Sequence, residues 1–258
     1  MHQTFDRVHL TAHGKTAVIT LDHPLTVNAL SIAMVGGLNA ALDALQAGSF
    51  RALVLTGQGR GFCSGADMKE LAARRTEGAG QVLERLYHPL FRRLRDLDMP
   101  IVTAVNGAAV GIGMSLALMG DLTVAAQSSY FLLSFARIGL VPDGGATWLL
   151  PRLIGLARAR ELALLAEKLP AARALEWGLI NRVVEDERLM DESLALAHRL
   201  AEGPAAQRLT RKLFWDETGY ETQLAREAAA QEHAGATEDF AEGLAAFQGK
   251  REPKFTGK

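Results

Sequence analysis

The sequence predicts an α/β protein whose core repeats a strand-strand-helix unit and whose C-terminal region is helical. Up to about residue 190, short apolar runs rich in β-branched residues alternate with segments of helical periodicity. From Asp191 onward nearly every segment has helical character, with a break at Gly203-Pro204. We therefore predict an α/β core over residues 1–190 and a helical region over residues 191–258.

The first half of the chain begins with two predicted strands, at 8–12 and 17–21, joined by a turn at Gly14-Lys15. Ser31 is suited to capping a helix that continues to about Gln46, in which apolar residues recur at spacings of three and four. Further strands are predicted at 53–55, 101–105 and 122–125, and further helices at 67–73, 81–97 and 114–119.

In the second half we predict a strand at 130–132, helices at 158–166 and 171–177, and a strand-like segment at 180–184. Gly178 ends the helix at 171–177, because glycine readily takes the left-handed conformation that closes a helix.

Composition excludes several classes of protein. The chain has 258 residues, 48% of them hydrophobic, which is enough to bury a core without disulfides or structural metals. Its single cysteine rules out a disulfide framework and a multi-thiolate zinc site, and its seven histidines show no metal-ligand spacing. The net charge of −1 argues against a dominant nucleic-acid surface.

An uncharged stretch from Met99 to Gly120 is long enough to span a bilayer. Its proline and glycines divide it into a buried strand, a loop and a buried helix, so we do not interpret it as a membrane span. The first residues carry no secretory signal. We expect a cytoplasmic protein with neither a membrane nor a nucleic-acid partner.

Two glycine-rich loops, 57–67 and 106–113, each follow a short apolar strand and precede a helix. Neither is a phosphate loop, since no Gly-Lys-Ser/Thr follows, and Leu116 stands where a dinucleotide fingerprint has its third glycine. They are either tight strand-to-helix turns or, if they face each other, two sources of backbone N–H groups that stabilise an oxyanion.

A third loop contains the turn sequence Pro-Asp-Gly-Gly at 142–145. Asp143 either satisfies backbone groups of this turn or lies in an apolar pocket lined by Phe135, Leu140 and Trp148. Burial in such a pocket would raise its pKa and make it a general base.

Three other side chains are weaker candidates. Ser115 stands in a sequence that resembles a serine-hydrolase elbow but lacks its last glycine, so packing explains it better than nucleophilic catalysis. Cys63 is a second candidate nucleophile. His88 is either an ordinary core or surface histidine or an active-site residue.

Four motifs occur in a characteristic order. They are Gly61-Phe62-Cys63-Ser64-Gly65-Ala66-Asp67, Val105-Asn106-Gly107 through Gly113, Gly139-Leu140-Val141-Pro142-Asp143-Gly144-Gly145, and Leu150-Pro151-Arg152. Together they resemble the enoyl-CoA hydratase/isomerase family, also called the crotonase superfamily, over nearly the whole chain. The resemblance implies a crotonase-like fold with a C-terminal helical region that trimerises, and a homotrimer or a dimer of trimers.

The resemblance also implies the ligand and its contacts. The ligand would be an acyl-CoA thioester, so coenzyme A is part of the substrate and no separate cofactor or metal is expected. The backbone N–H groups of Ala66 and Ile112 would be the two oxyanion donors. The expected substrate contacts are Ser64, Asp67, Met68, Lys69, Phe135, Leu140 and His88. The expected contacts to the coenzyme A tail, on this or a neighbouring subunit, are Phe247 and Lys250.

Departures from the family pattern bear on the reaction. Hydratases of the family use two glutamates to add water, and this chain has Ser115 and Phe135 at those positions. Asp143 remains, where dienoyl-CoA isomerases, 4-chlorobenzoyl-CoA dehalogenase and ring-1,2-epoxyphenylacetyl-CoA isomerases carry an aspartate. The chain resembles the last branch most, and departs from it at His88 and Ala146.

The sequence therefore favours an isomerase that shifts a double bond or rearranges a ring epoxide, with Asp143 as its catalytic base. One carboxylate is enough to take a proton from one carbon and return it to another. The alternatives are a hydratase with atypical catalytic residues and, in a different class, a non-catalytic acyl-CoA-binding scaffold.

Overall fold

The computed structural model describes residues 2–73, 78–215, 222, 229 and 231–258. The strands are β1 (His2–Phe5), β2 (Val8–His13), β3 (Thr16–Leu21), β4 (Ala52–Gly57), β5 (Gly61–Cys63), β6 (Ile101–Val105), β7 (Ala108–Val110), β8 (Leu122–Ala126), β9 (Tyr130–Leu132), β10 (Leu169–Pro170) and β11 (Arg182–Val184). The helices are α1 (Ile32–Ala47), α2 (Met68–Ala73), α3 (Ala79–Val82), α4 (His88–Arg95), α5 (Ile112–Ala117), α6 (Ala146–Leu165), α7 (Ala171–Trp177), α8 (Leu189–Ala201), α9 (Ala206–Phe214) and α10 (Glu238–Gln248). Short 3₁₀ turns lie at Pro24–Thr26, Ser134–Ile138 and Asp186–Arg188.

Seven strands form the larger sheet, in the order β1-β2-β3-β4-β6-β8-β11. The first three are antiparallel, and from β3 onward neighbouring strands are parallel. β4 and β6 are buried along their whole length, as expected for apolar parallel strands covered on both faces. The strands predicted at 8–12, 17–21, 53–55, 101–105 and 122–125 are confirmed, while the segment predicted at 180–184 forms a strand from Arg182.

The smaller sheet has the order β10-β9-β7-β5. β4, β6 and β8 of the larger sheet each pass through a short turn into β5, β7 and β9, and a helical segment follows each time. The predicted strand-strand-helix repeat is therefore confirmed. β5 and β7 pair in parallel, which places the two glycine-rich loops side by side.

Apolar side chains cover both faces of the larger sheet. On one face, α1, α4 and α5 contribute Leu38, Leu90 and Met114 to the main core, with Ser31 capping α1 as predicted by accepting a 3.2 Å hydrogen bond from the Met34 N–H. On the other face, α8 packs Leu196 against the sheet. Across the described ranges, no helix is both long and apolar enough to cross a membrane.

The helical segment predicted at 81–97 is confirmed as far as Arg95, but it is not one regular α-helix. It consists of α3, a π-helical turn at Leu83–Tyr87, and α4. The His88 N–H bonds the Leu83 carbonyl oxygen across this turn. Pro89 explains the wider turn, because it has no N–H and its ring would clash with the carbonyl of Arg85 in a regular helix.

The helix predicted at 158–166 forms the second part of α6, which covers Ala146–Leu165 and changes direction at Gly155, where φ is +76°. Two other predicted boundaries differ from the structure. α5 covers Ile112–Ala117 rather than 114–119. Residues 251–258, predicted to be helical, contain no helix. The division into regions at residue 190 stays a prediction.

Candidate active site

The two glycine-rich loops touch at Gly65 and Gly111. Gly65 has φ +101° and Gly111 has φ +55°, conformations that side chains rarely adopt. A β-carbon on Gly65 would lie 2.9 Å from the Val110 carbonyl oxygen and 3.8 Å from the Gly111 Cα. Glycine is required here because the two backbones approach so closely, and the Gly65–Ala66 and Gly111–Ile112 peptides become neighbours.

The direction of the Ala66 N–H follows from the preceding carbonyl. The Gly65 oxygen accepts a 2.7 Å hydrogen bond from the Leu30 N–H, and Leu30 pairs with Ala66 as a parallel β-bridge. Because the peptide is planar and trans, the Ala66 N–H points away from Leu30.

The Ile112 N–H is oriented in the same way by α5. The Gly111 carbonyl oxygen accepts hydrogen bonds from the N–H groups of Met114 (2.9 Å) and Ser115 (3.3 Å). Ile112 is the first residue of the helix, so its own N–H lies outside the intrahelical ladder and points away from the helix. The sequence-predicted donors Ala66 and Ile112 thus lie on adjacent peptides, each directed away from the element that holds its carbonyl.

Asp143 lies in the loop that precedes α6. Its backbone carbonyl oxygen accepts hydrogen bonds from the Ser115 hydroxyl (2.8 Å) and from the Ala146 N–H (3.1 Å). Its Oδ1 is closed off from solvent and has no hydrogen-bond partner within the described part of the chain. Burial raises the pKa of Asp143 to about 7. The carboxyl group can therefore accept or release a proton near neutral pH.

The apolar surroundings of Asp143 differ from those predicted. Leu140 is 40% exposed, and its place in the wall of an apolar pocket stays a prediction. It follows a 3₁₀ turn that leaves it on the surface. Phe135 is buried, and its ring lies 3.8 Å from where a β-carbon on Gly111 would stand. Phe91 packs at Gly144 instead, a contact that the sequence analysis missed.

His88 and Trp148 lie on the wall of a cavity of about 450 Å³ that Phe91, Gly144 and Gly145 also line. The ring of Trp148 stacks on Trp215 at 5.7 Å between centroids. His88 therefore shares this cavity with the two glycines that directly follow the candidate base Asp143.

The residues predicted to receive coenzyme A have different local roles. The Ser64 hydroxyl donates a 2.6 Å hydrogen bond to the Thr26 carbonyl oxygen. Asp67 caps α2 by accepting hydrogen bonds from the N–H groups of Lys69 (3.0 Å) and Glu70 (3.2 Å). Met68 and Lys69 are exposed at the start of that helix.

The two predicted coenzyme A contacts near the C-terminus, Phe247 and Lys250, lie in and just after α10. Lys250 is exposed just beyond α10, with φ +50°. Phe247 falls within α10, and its side chain lies outside the described residues.

The two other candidate nucleophiles are held in unreactive states. Cys63 is fully buried, and burial raises its pKa to about 12, so it stays a thiol at neutral pH. The Ser115 hydroxyl is engaged with the Asp143 carbonyl. In the part of the chain that the structure describes, no group of three or more His, Cys, Asp or Glu side chains could hold a metal ion.

This fold and its paired backbone loops define a crotonase-type enzyme. A model of the family described as enoyl-CoA hydratase/isomerase matches residues 11–258. The chain belongs to the enoyl-CoA hydratase/isomerase family.

Relatives with several described activities resemble the chain over nearly its full length. It is 43% identical over 247 residues to the 1,2-epoxyphenylacetyl-CoA isomerase of Escherichia coli, covering 93% of this chain and 94% of that protein. It is 47% identical over 247 residues to a Rhodobacter capsulatus protein described as a probable enoyl-CoA hydratase, covering 94% and 95%. A solved structure of an enoyl-CoA hydratase subunit from Geobacillus kaustophilus has a TM-score of 0.92 at 35% identity, covering 99% and 100%.

Proposed function

We propose that this protein is an acyl-CoA isomerase that shifts a double bond, or rearranges a ring epoxide, with Asp143 as its base. The observation that carries the proposal is the half-buried Asp143 carboxyl group. Its Oδ1 is closed off from solvent without a partner among the described residues, and burial raises its pKa to about 7. The similarity to the 1,2-epoxyphenylacetyl-CoA isomerase of E. coli supports the same reaction class.

In the proposed reaction, the backbone N–H groups of Ala66 and Ile112 bind the thioester carbonyl oxygen. Asp143 takes a proton from a carbon of the acyl group, and the electrons of the broken C–H bond pass into an enolate whose oxygen the two donors stabilise. The proton then returns from Asp143 to another carbon of the same system, so substrate and product have equal mass. A single base completes this cycle, and no second group is needed to activate water.

Coenzyme A enters this proposal as part of the substrate, without a separate cofactor. The exposed side chains of Lys69 and Lys250 would contact its phosphates, and Phe247 would pack on its base. His88, beside Gly144, would contact the acyl group. We also propose that the protein is cytoplasmic.

A trimer, or a dimer of trimers, is the proposed assembly. It is supported by apolar side chains that one chain leaves exposed on α6 and at the end of α9, among them Leu156, Leu164 and Phe214. Sedimentation velocity tests it, and a monomer at micromolar concentration would contradict it.

A hydratase is the second candidate, because the R. capsulatus relative is described as one at 47% identity. In this chain Ser115 and Phe135 stand where the resemblance places the two hydratase glutamates, so the water would need another activating group. The scaffold alternative predicts thioester binding without turnover, although a scaffold has no need of a partnerless carboxylate.

The test supplies the purified protein with a 3-enoyl-CoA, with crotonyl-CoA and with a ring-epoxide thioester, and resolves the products by mass and chromatography. An isomer of unchanged mass supports the proposal. Efficient addition of water to crotonyl-CoA would replace it with the hydratase, and binding without any turnover would leave the scaffold. Asp143→Asn should abolish turnover but keep thioester binding, whereas the control Asp186→Asn, which removes a carboxylate that accepts from the Ser128 N–H on the surface, should change neither.

A further inference from the structure

Tyr87 connects the π-helical turn to one of the two glycine-rich loops. It is the last residue of that turn and is only 6% exposed. Its hydroxyl donates a 2.9 Å hydrogen bond to the backbone carbonyl oxygen of Leu30. Because the turn contains one residue more than a regular α-helical turn, it sets the direction in which Tyr87 enters the core.

Leu30 passes this restraint to the Ala66 amide. Its carbonyl is held by Tyr87, and its N–H donates the 2.7 Å hydrogen bond to Gly65 that orients the Gly65–Ala66 peptide. Leu30 therefore links the Tyr87 hydroxyl to the Gly65–Ala66 peptide, which also takes part in the Leu30–Ala66 bridge.

We propose that Tyr87 is a positioning residue for the thioester site, which holds the Ala66 N–H in the direction needed to bind the carbonyl oxygen. The inference rests on the proposed function, since it assumes that Ala66 is an oxyanion donor. Tyr87 acts through Leu30 and Gly65 and touches no reacting atom.

The surroundings of Tyr87 keep its hydroxyl a donor. Burial first, and then the negative charges of Asp143, Glu70, Cys63 and Asp67 when ionised, raise the pKa of Tyr87 well above its ordinary value. The hydroxyl therefore stays protonated while Asp143 changes its charge near neutral pH. The Tyr87 hydrogen bond to Leu30 therefore persists over the pH range in which Asp143 can act as a base.

The test measures polarisation of the thioester carbonyl directly. A saturated acyl-CoA labelled with ¹³C at the thioester carbonyl is bound to the wild-type protein and to variants, and its ¹³C chemical shift is recorded. Wild-type protein should move the resonance downfield from its position in solution, because two N–H donors polarise the carbonyl. Tyr87→Phe keeps the ring but removes the hydroxyl. It should lose part of the downfield shift, because the Ile112 N–H still polarises the carbonyl. It should also lower kcat by about 10-fold to 100-fold, a part of the 10²–10³ that loss of a whole donor costs, with a smaller change in KM.

Thr56→Val is the matched control. The Thr56 hydroxyl also donates a buried 2.9 Å hydrogen bond to a backbone carbonyl, that of Ala104, but within the larger sheet. It should lower the melting temperature about as much as Tyr87→Phe and leave the ¹³C shift unchanged. Equal loss of shift in both variants would mean a general loosening of the fold and would overturn the proposal.

The outcomes separate the two hypotheses. No downfield shift in the wild-type protein would contradict the proposed thioester site itself. A wild-type shift that is undiminished in Tyr87→Phe would overturn the positioning role alone. Asp143→Asn should keep the shift while abolishing turnover, so loss of the base and loss of the Tyr87 hydrogen bond give different results. If Tyr87→Phe does not fold, 4-fluorophenylalanine at position 87 fills the volume of the hydroxyl without donating a hydrogen bond, and it should lose the same part of the shift. An undiminished shift in that variant would overturn the proposal.

Discussion

The Ser115 hydroxyl donates a 2.8 Å hydrogen bond to the backbone carbonyl oxygen of Asp143. Ser115 is fully buried in α5, whose first residue supplies the Ile112 amide. The helix that carries a candidate oxyanion donor therefore also holds the loop that carries the candidate base. The distance between donor and base is set by one short helix, which gives Ser115 a structural reason to be a small hydroxyl residue.

Ser115→Ala should lower kcat by about 10-fold with little change in KM, because the Asp143 loop loses one of its two anchors and the base becomes less well positioned. The Ala146 N–H still bonds the Asp143 carbonyl, so the loss of stability should be only about 1 kcal/mol. Steady-state kinetics and urea unfolding measure the two effects. Ser129→Ala, which removes a buried hydroxyl bond to the Ala126 carbonyl far from the site, is the control, and equal kcat values for the two variants would refute the anchoring role.

Gly144→Ala should damage both stability and turnover. Gly144 has φ +58°, and a β-carbon there would lie 2.7 Å from Ser115 Cβ and 2.9 Å from a ring carbon of Phe91. Overpacking of this kind costs typically about 1–3 kcal/mol, in addition to the backbone strain. Gly145→Ala is a matched control, because Gly145 has φ +80° but open space around it. Thermal unfolding should show a larger loss of melting temperature for Gly144→Ala than for Gly145→Ala. Equal losses would mean that backbone strain at positive φ, and not overpacking against Ser115 and Phe91, causes the destabilisation.

The logarithm of kcat/KM should rise with pH and level off above an apparent pKa near 7, because the raised pKa of Asp143 keeps its carboxyl protonated in acid. Rates measured between pH 5 and 9 with a 3-enoyl-CoA check this. A plateau that extends down to pH 5 would mean that Asp143 is ionised there and that its burial is relieved in solution.

The free energy of unfolding should fall as pH rises, over the same range in which kcat/KM rises. An unfolded aspartate titrates near pH 4, so between about pH 4 and 7 the native state binds more protons than the unfolded state, and stability falls as pH rises. The full effect is at most about 4 kcal/mol, from three pKa units at about 1.4 kcal/mol each. Asp143→Asn should remove this pH dependence, so its stability relative to wild type should be greater at pH 8 than at pH 5 in urea unfolding. No difference between the two pH values would contradict the shifted pKa.

The sequence was sufficient to predict the strand-strand-helix repeat, because its apolar runs form the strands and its glycine-rich segments form the turns between elements. It also made Asp143 a candidate base, since one carboxylate in a turn between apolar segments stands out, and that role stays a prediction. It did not reveal β5 and β7, which are three-residue strands inside glycine-rich loops, where no periodicity can be seen. Tyr87 was missed for a different reason: the π-helical turn before Pro89 changes the helical phase, so spacing rules select the wrong face.

Arg211 on α9 forms hydrogen bonds to several groups of the α/β core. Its guanidinium group is almost completely buried and donates a 2.7 Å hydrogen bond to the Asp121 carboxylate. It also donates to the carbonyl oxygens of Leu94 (2.8 Å), Arg95 and Leu97 (3.0 Å), at and just beyond the end of α4. Asp121 in turn accepts a 2.7 Å hydrogen bond from the Ile101 N–H at the start of β6. One arginine thus joins the C-terminal region to a helix end and a central strand.

Arg211→Met should cost about 2–4 kcal/mol, because it leaves three backbone carbonyl oxygens without their donor. The partly exposed Asp121 carboxylate also loses its cation, which adds less. Arg208→Met is the matched control on the same helix, since Arg208 pairs with Asp98 at 3.0 Å on the surface, where such pairs contribute about 0–1 kcal/mol. Urea unfolding of both variants measures the difference. Double replacement of Arg211 and Asp121 by methionine and leucine should recover part of the loss, because the Asp121 carboxylate is then no longer left without its cation. If the double variant is no more stable than Arg211→Met, the cost lies in the carbonyls of α4 rather than in the charge of Asp121.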